Sequence, residues 1–333
     1  MKKWHYPFLA FLIIGTVIIL TQSRNEKPEY RTAQGMVFGT SYHITYLYNA
    51  DLKADIEQAL ASVDNALSMF NPESTISAVN SSESIQVTDT MFLKVYRRAM
   101  EISCITNGAF DITVAPAVNA WGFGFKHAES ISQTTIDSLL QITGYSKIHE
   151  ADGLITKDDA RIMLDCSAIA KGFGSDMVAS TLRSKGINDY MVEIGGEIVL
   201  SGHNPKGKLW NIGISKPVDD SLSINNELQT VIPVTDIAMA TSGNYRNFYM
   251  KDGRKYAHTI DPHTCMPVSH SLLSATVFTA DCATADALAT SMMVMGLDSA
   301  LALCDRHPEI QAYLIYQAPD GTVETTSTLT IGQ

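Results

Sequence analysis

Cysteine is scarce in this 333-residue sequence, and the few cysteines are scattered along it. The chain has five, Cys104, Cys166, Cys265, Cys282 and Cys304, and no two of them form a C-x-x-C pair. Zinc ribbons and disulfide scaffolds need closely spaced or paired cysteines. Neither is encoded here, so any metal site has to be built from oxygen ligands.

Positive charge is also sparse. Lysine and arginine total 24 against 35 aspartates and glutamates, which gives a net charge of −11, and no long basic run occurs. Nucleic-acid-binding proteins carry a concentrated basic surface, so we exclude nucleic acid as a partner. With 45% hydrophobic and 18% charged residues, the chain can bury a full-sized core, which excludes disorder as its main state.

Several common catalytic motifs are missing. Gly172-Phe173-Gly174 continues as Ser175-Asp176-Met177, so the third glycine of a dinucleotide-binding fingerprint is absent. Neither the G-x-x-x-x-G-K-[ST] phosphate loop nor the G-x-S-x-G elbow of serine hydrolases occurs. Rossmann, P-loop and α/β-hydrolase chemistry are therefore excluded.

The N-terminus has the pattern of an export signal. Lys2 and Lys3 precede the apolar run 8–20 (FLAFLIIGTVIIL), which has the length of a signal-peptide core. Residues 4–20 fall slightly short of the roughly 20 residues that span a bilayer, so a cleaved signal and an uncleaved anchor both remain open. We assign residues 1–30 to this segment and its linker, and 31–333 to one folded domain on the extracytoplasmic side, because lysines favour the cytoplasmic side.

Beyond the linker, strand and helix patterns alternate. Residues 42–48 (YHITYLY) are aromatic and β-branched and predict a strand, whereas apolar residues at helical spacing predict a helix over 51–70. Further predicted helices cover 90–106, 168–185 and 281–295, and further predicted strands cover 161–165, 190–200, 210–215, 272–280, 310–316 and 322–331. This mixed order predicts an α+β fold with a mixed, largely antiparallel sheet and packed helices.

Two polar clusters lie at predicted helix starts. In 165–174 (DCSAIAKGFG), Lys171 follows a helix N-terminus, where a cation is unfavourable unless an anion such as phosphate offsets it. In 281–290 (DCATADALAT), Asp286 and Thr290 share a helix face and offer a carboxylate and a neutral oxygen, which suits magnesium. A solvated Asp–Lys pair in the first cluster and a threonine bonded to its own helix in the second are the alternatives.

Two further clusters are polar or aromatic loops. A hairpin between 240–247 and 256–262 would bring His258, a possible general base, beside the Thr241-Ser242-Gly243 turn. Residues 108–113 and 121–124 combine aromatics and glycines that could enclose a flat ring. A structural histidine and aromatic core contacts are the alternatives.

Together, these clusters resemble the FAD:protein FMN transferases, the ApbE family, over about residues 35–317. The matching segments are 36–42 (MVFGTSY), 67–80 (LSMFNPESTISAVN), 110–113 (FDIT), 121–124 (WGFG), 165–176 (DCSAIAKGFGSD), 193–197 (EIGGE), 241–247 (TSGNYRN), 258–262 (HTIDP) and 285–290 (ADALAT). The resemblance implies a magnesium-dependent enzyme that cleaves FAD, attaches FMN through its phosphate to a threonine or serine of an acceptor flavoprotein, and releases AMP.

The resemblance also implies roles for individual residues. The Ala168 carbonyl and the Asp286 and Thr290 side chains would bind magnesium, and His258 would act as the base toward the acceptor hydroxyl. Met36, Phe70, Ala109, Phe110, Asp111, Asp165, Lys171 and Ile260 would line the FAD site. One position departs from the family pattern Asp-Pro-x-Thr-Gly, because Asp261-Pro262-His263-Thr264 is followed by Cys265.

Two alternative functions remain at this point. Some relatives resemble hydrolases that cleave FAD to FMN and AMP with water, and the same residues would serve that reaction. An exported protein that only binds flavin is the other alternative, although Lys171, His258, Asp286 and Thr290 together argue against it because simple binding needs neither a metal nor a base. The resemblance further implies an acceptor within a membrane respiratory or redox complex, met on the periplasmic side of the inner membrane.

Overall fold

The computed structural model describes residues 11–16, 28–124, 131–217, 227–244, 248–251 and 254–330. Residues 11–16, within the predicted signal or anchor, are helical. Most of the remaining N-terminal segment lies outside the described residues. Residues 252–253, between the two arms of the proposed hairpin, and the motif residues 245–247 also lie outside them.

Beyond residues 11–16, seventeen strands and seven α-helices make up the described fold. The strands are β1 (Glu29–Val37), β2 (Thr40–Tyr48), β3 (Ser84–Gln86), β4 (Ile148–Ala151), β5 (Leu154–Lys157), β6 (Tyr190–Ile194), β7 (Glu197–Ser201), β8 (Trp210–Ser215), β9 (Leu228–Val234), β10 (Ile237–Gly243), β11 (Phe248–Lys251), β12 (Arg254–Ala257), β13 (Ile260–Asp261), β14 (Met266–Pro267), β15 (Leu272–Thr279), β16 (Gln311–Gln317) and β17 (Val323–Ser327). The helices are α1 (Lys53–Leu67), α2 (Thr75–Asn80), α3 (Thr90–Ile105), α4 (Ala115–Ala120), α5 (Gln133–Ile142), α6 (Ser167–Ser184) and α7 (Cys282–Arg306).

An eight-stranded sheet in the order β1-β2-β6-β7-β10-β15-β16-β17 forms the centre of the domain. Every neighbouring pair in it is antiparallel. On β2, Tyr42, Ile44 and Tyr46 are buried and alternate with less buried residues, the period-two pattern of a strand with one face on the core. The predicted α+β class with a largely antiparallel sheet is confirmed.

Helices cover one face of this sheet and a two-stranded ribbon covers the other. Residues of α3, α6 and α7 share one buried cluster with β15 and β16, while α1 and α6 share a second with β2 and β6. On the opposite face, Trp210, Ile212 and Ile214 of β8 pack against Ile198 and Phe278 of the sheet. By length and composition α7 could cross a membrane, but here it is a core helix that breaks at Gly296 (φ 77°), one residue after the predicted helix end at 295.

Helix α1 is shorter than the predicted helix over 51–70. It ends at Leu67 because Ser68 is extended, and the side chain of Ser74 then starts α2 by accepting a hydrogen bond from the Ser77 N–H. Phe70 therefore lies in the loop between the two helices, with 77% of its surface exposed. The missing final turn places this aromatic ring at the rim of the cleft described below.

The predicted strand over 161–165 is wrong. This segment has no strand structure, because its backbone groups are paired by a side chain instead of a neighbouring strand. The Asn80 amide donates to the Leu164 carbonyl at 2.9 Å, and its oxygen accepts from the Leu164 N–H at 2.7 Å. The Asp165 N–H donates to the Ile112 carbonyl at 2.7 Å, which fixes the entry into α6.

Helices α6 and α7 cross in backbone contact at Gly172. A Cβ at this position would collide with the Cys282 carbonyl, whereas the Gly172 N–H donates to Asp286 Oδ2 at 3.0 Å. One turn further along α6, both Asp176 oxygens accept from the Cys282 and Ala283 N–H groups at 2.9 Å. Burial raises the pKa of Asp176 to about 6, while these two hydrogen bonds act in the opposite direction. Gly172 is thus required by the approach of two backbones.

We expect Gly172→Ala to destabilise the domain by about 1–3 kcal/mol, the usual cost of overpacking, although alanine has the better helix propensity by about 1 kcal/mol. Urea unfolding followed by circular dichroism measures this difference. Gly174→Ala is the matched control on the same helix, since its added Cβ would first meet the Phe38 ring edge, at 2.7 Å, and a side chain can move. Parent-like stability of Gly172→Ala would contradict the backbone contact.

Candidate active site

A cleft of about 1020 Å³ opens on the domain where α6, α7 and the β6–β7 hairpin meet. Nearly all predicted site residues line it: Phe70, Ala109, Phe110, Asp111, Asp165, Ala168, Lys171, His258, Ile260, Asp286 and Thr290. Met36 is the exception. It lies on β1 opposite Ser41, outside the cleft lining, with 74% of its surface exposed. Residues from five separate parts of the chain therefore converge as the motifs predicted.

The predicted metal ligands meet at the crossing of α6 and α7. Asp286 is 5% exposed, and Thr290 follows it one turn later on the cleft side of α7. Ala168 lines the cleft in the first turn of α6, and one turn later the Gly172 N–H donates to the Asp286 carboxylate. Carboxylate, hydroxyl and carbonyl oxygens are the ligands that hard cations prefer, so these three residues fit magnesium.

A cation at this point would depend on a single carboxylate and on neutral oxygens. Among the described residues, no group of three His, Cys, Asp or Glu side chains is placed to hold a metal. The described residues at this crossing therefore lack the histidine and cysteine ligand set of a zinc site. The arrangement agrees with a cation such as magnesium, which keeps coordination positions for substrate phosphates and water.

Lys171 lies between two buried carboxylates. Its Nζ is 2.9 Å from Glu197 Oε1 and 3.6 Å from Asp286 Oδ1. Burial alone would lower the pKa of the ammonium, but Asp286 and Glu197 together raise it above its usual value. Burial raises the pKa of Glu197, against the effect of the nearby ammonium. The partners of Lys171 are therefore these two carboxylates. The alternative interpretation, a solvated pair of Lys171 with Asp165, does not describe its contacts.

Asp111 and Asp165 shape the wall of the cleft. Asp111 Oδ1 accepts from the Thr113 N–H at 2.8 Å, and its Oδ2 accepts from the Tyr145 N–H at 2.6 Å. Asp165 Oδ1 accepts from the Ser167 N–H at 2.7 Å, at the start of α6. Burial raises the pKa of both carboxyl groups, and these hydrogen bonds lower it in part. Both carboxylates hold cleft loops in place.

His258 lies at the end of the cleft near the strand β10. Its ring is in an edge contact with Phe123, with centroids 6.5 Å apart at 71°. Thr241 and Ser242 line the same cleft, as the proposed hairpin required, but they belong to β10 and not to a turn. The Thr259 hydroxyl donates to Asn244 Oδ1 at 2.9 Å, which ties the two segments together beside His258.

Cys265 adopts the left-handed backbone conformation that a glycine would take, with φ 52°. Such a conformation costs a non-glycine residue roughly 1–2 kcal/mol. Its N–H donates to the Asp261 carbonyl at 2.8 Å, and its carbonyl accepts from Trp121 Nε1 at 2.7 Å. The thiol is buried. The substitution therefore retains the turn, and packing of the thiol offsets part of the strain.

Sequence reasoning assigned no role to Glu197, although it lies within the matching segment 193–197. Its carboxylate is 3% exposed and lines the cleft, and Oε2 has no hydrogen-bond partner among the described residues. The signal was present in the sequence. Two glycines between apolar strands predict a two-residue hairpin, and a carboxylate that opens a fully apolar strand (EIVL) predicts a buried charge with a partner.

The comparisons with known proteins agree with this geometry. The model of the ApbE family matches residues 38–314. A FAD:protein FMN transferase of Vibrio cholerae is 38% identical over 339 residues, covering 98% of this chain and 97% of that protein. The corresponding protein of Haemophilus influenzae is 34% identical over 333 residues, covering 95% of each chain.

Solved structures give the same answer. Flavin transferase ApbE from Vibrio cholerae is similar with a TM-score of 0.81 at 36% identity, covering 90% of this chain and 97% of that one. The flavinyl transferase ApbE of Pseudomonas stutzeri, in its apo form, has a TM-score of 0.81 at 29% identity, covering 91% of this chain and 96% of that one. The chain therefore belongs to the ApbE family.

Proposed function

We propose that this chain is an FAD:protein FMN transferase. It cleaves the pyrophosphate of FAD, attaches FMN through its phosphate to a threonine or serine hydroxyl of an acceptor flavoprotein, and releases AMP. One observation carries the proposal: the Ala168, Asp286 and Thr290 oxygens, the Lys171 ammonium and the His258 ring line one cleft of about 1020 Å³. This transfer needs a positive side chain that binds phosphate, a set of oxygens that binds a metal ion, and a base.

The metal of this proposal is magnesium, held by Asp286, Thr290 and the Ala168 carbonyl. When bound, magnesium neutralises charge that develops on the phosphates during displacement. Lys171 is 28% exposed at its side chain, so its ammonium can also contact a phosphate oxygen. The Gly172 N–H donates to Asp286 Oδ2, which holds the carboxylate at the cleft.

The remaining residues bind the flavin and activate the acceptor. Phe70, Phe110 and Phe123 line the cleft and supply aromatic surfaces for the flat rings of FAD. A threonine hydroxyl is a weak nucleophile until a base takes its proton. His258 takes this proton, and the Phe123 edge contact orients its ring.

The protein is an exported enzyme in this proposal, retained at or released from the inner membrane, and its acceptor belongs to a membrane respiratory or redox complex. The lysines and the apolar run 8–20 at the N-terminus support export. In intact spheroplasts, added protease should digest the domain that begins at about residue 31. Protection in intact spheroplasts with digestion only after lysis would contradict export.

We expect the purified protein with FAD and magnesium to flavinylate an acceptor that carries the modifiable threonine. In-gel flavin fluorescence of the acceptor and release of AMP should rise together, and EDTA should abolish both. Release of AMP and free FMN with an unlabelled acceptor would identify a hydrolase. FAD binding without AMP release would identify a flavin-binding protein.

His258→Ala should reduce FMN transfer by roughly 10²–10⁴-fold, the usual contribution of a positioned base, while FAD still binds. Stopped-flow flavin fluorescence measures binding separately from turnover. His149→Ala is the matched control, since His149 is exposed, its Nε2 is 2.9 Å from Asp158 Oδ1, and it does not line the cleft. An equal loss of FAD affinity and transfer in His258→Ala would assign the histidine to the FAD pocket instead.

A further inference from the structure

Two buried carboxylates share one ammonium beneath the cleft. Glu197 comes from the sheet at the start of β7, Asp286 from α7, and Lys171 from α6 between them. The distances are unequal, since Lys171 Nζ is 2.9 Å from Glu197 Oε1 but 3.6 Å from Asp286 Oδ1. The shorter contact is an ion pair at hydrogen-bonding distance, whereas the longer one is an ion pair beyond that distance.

We propose that Glu197 is a positioning residue that holds the Lys171 ammonium away from Asp286, so that a divalent cation can bind Asp286 without competition. The inference rests on the metal site of the proposed function. It adds a role for Glu197 that acts through Lys171 and not by contact with the cation.

The backbone around Glu197 is fixed independently of Lys171. Its carbonyl accepts from the Ser175 hydroxyl at 3.0 Å, and the residue pairs with Ile194 across the hairpin. Asp286 is fixed as well, because the Gly172 N–H holds its Oδ2. Of the three charged side chains, the long flexible lysine is therefore the one that can move between the two carboxylates.

An ammonium and a divalent cation at one carboxylate repel each other strongly in a site with little water. Without the Glu197 charge, Asp286 would be the remaining carboxylate partner of Lys171 among the described residues. The ammonium would then occupy the position that the cation needs. The buried Glu197 Oε2, which has no partner among the described residues, makes the carboxylate costly for stability, which favours a role in the site over a role in stability.

The test is a double-mutant cycle of magnesium affinity, measured by isothermal titration calorimetry without FAD. We expect Glu197→Gln to weaken binding by about 10–100-fold, as for residues that orient metal ligands. Lys171→Met should bind magnesium at least as tightly as the parent. In the Lys171→Met background, Glu197→Gln should cost almost nothing, because no ammonium is left to position.

Glu193→Gln is the matched control. Glu193 lines the same cleft on the same hairpin, but its oxygens contact the Gly196 N–H and His43. This variant should retain parent affinity. An equal loss from Glu197→Gln in both backgrounds would mean that its charge acts on the cation directly, and that result would overturn the proposal, as would weaker binding by Lys171→Met.

Failure of the metal site itself gives a different result. If magnesium binds neither the parent nor Asp286→Asn, or binds both equally, the proposed metal site is wrong. If Asp286→Asn abolishes binding but Glu197→Gln is neutral, only the role of Glu197 is wrong. Thermal unfolding checks that each variant is folded, and Lys171→Met alone still tests the proposal if Glu197→Gln unfolds.

Discussion

The backbone contact between α6 and α7 at Gly172 is the constraint on which the site depends. It places the first turns of two helices side by side, so that Ala168 and Lys171 from one helix meet Asp286 and Thr290 from the other. The same glycine donates its N–H to Asp286. A larger residue at position 172 would separate the helices and also weaken the hydrogen bond from its N–H to Asp286. The packing of the helices is therefore linked directly to the chemistry of the site.

The second feature of the site is the set of charged side chains at the crossing of α6 and α7. Two carboxylates and one ammonium are buried together, an arrangement that favours an added cation. Buried ion pairs contribute little to stability on average, so their retention here is better explained by the phosphates and the metal of the proposed function. Asp176 supports the arrangement from beneath, because its carboxylate caps the first amides of α7.

Much of this could be predicted from the sequence. The aromatic and β-branched segment 42–48 and the helical patterns at 90–106 and 168–185 predict β2, α3 and α6 within a few residues. The motifs and the family resemblance together indicate most of the residues that line the cleft. The strand prediction at 161–165 is wrong because Asn80, far away in the sequence, pairs with Leu164. The end of α1 and the partners of Lys171 likewise depended on tertiary contacts, which periodicity does not contain.

The resemblance to the ApbE family added the cofactor and the reaction, which spacing alone could not identify. It also directed attention to Cys265, whose left-handed backbone shows how one substitution can be accommodated within a retained turn. The ordered motifs therefore indicate the chemistry, and the structure supplies the distances between the side chains that line the cleft.

The location of the metal tests the central claim most directly. Crystals grown with manganese in place of magnesium, and measured for anomalous scattering, should show one strong peak beside the Asp286 carboxylate, the Thr290 hydroxyl and the Ala168 carbonyl. The same experiment on Asp286→Asn should lose that peak. A peak elsewhere in the cleft, or an unchanged peak in the variant, would contradict the account.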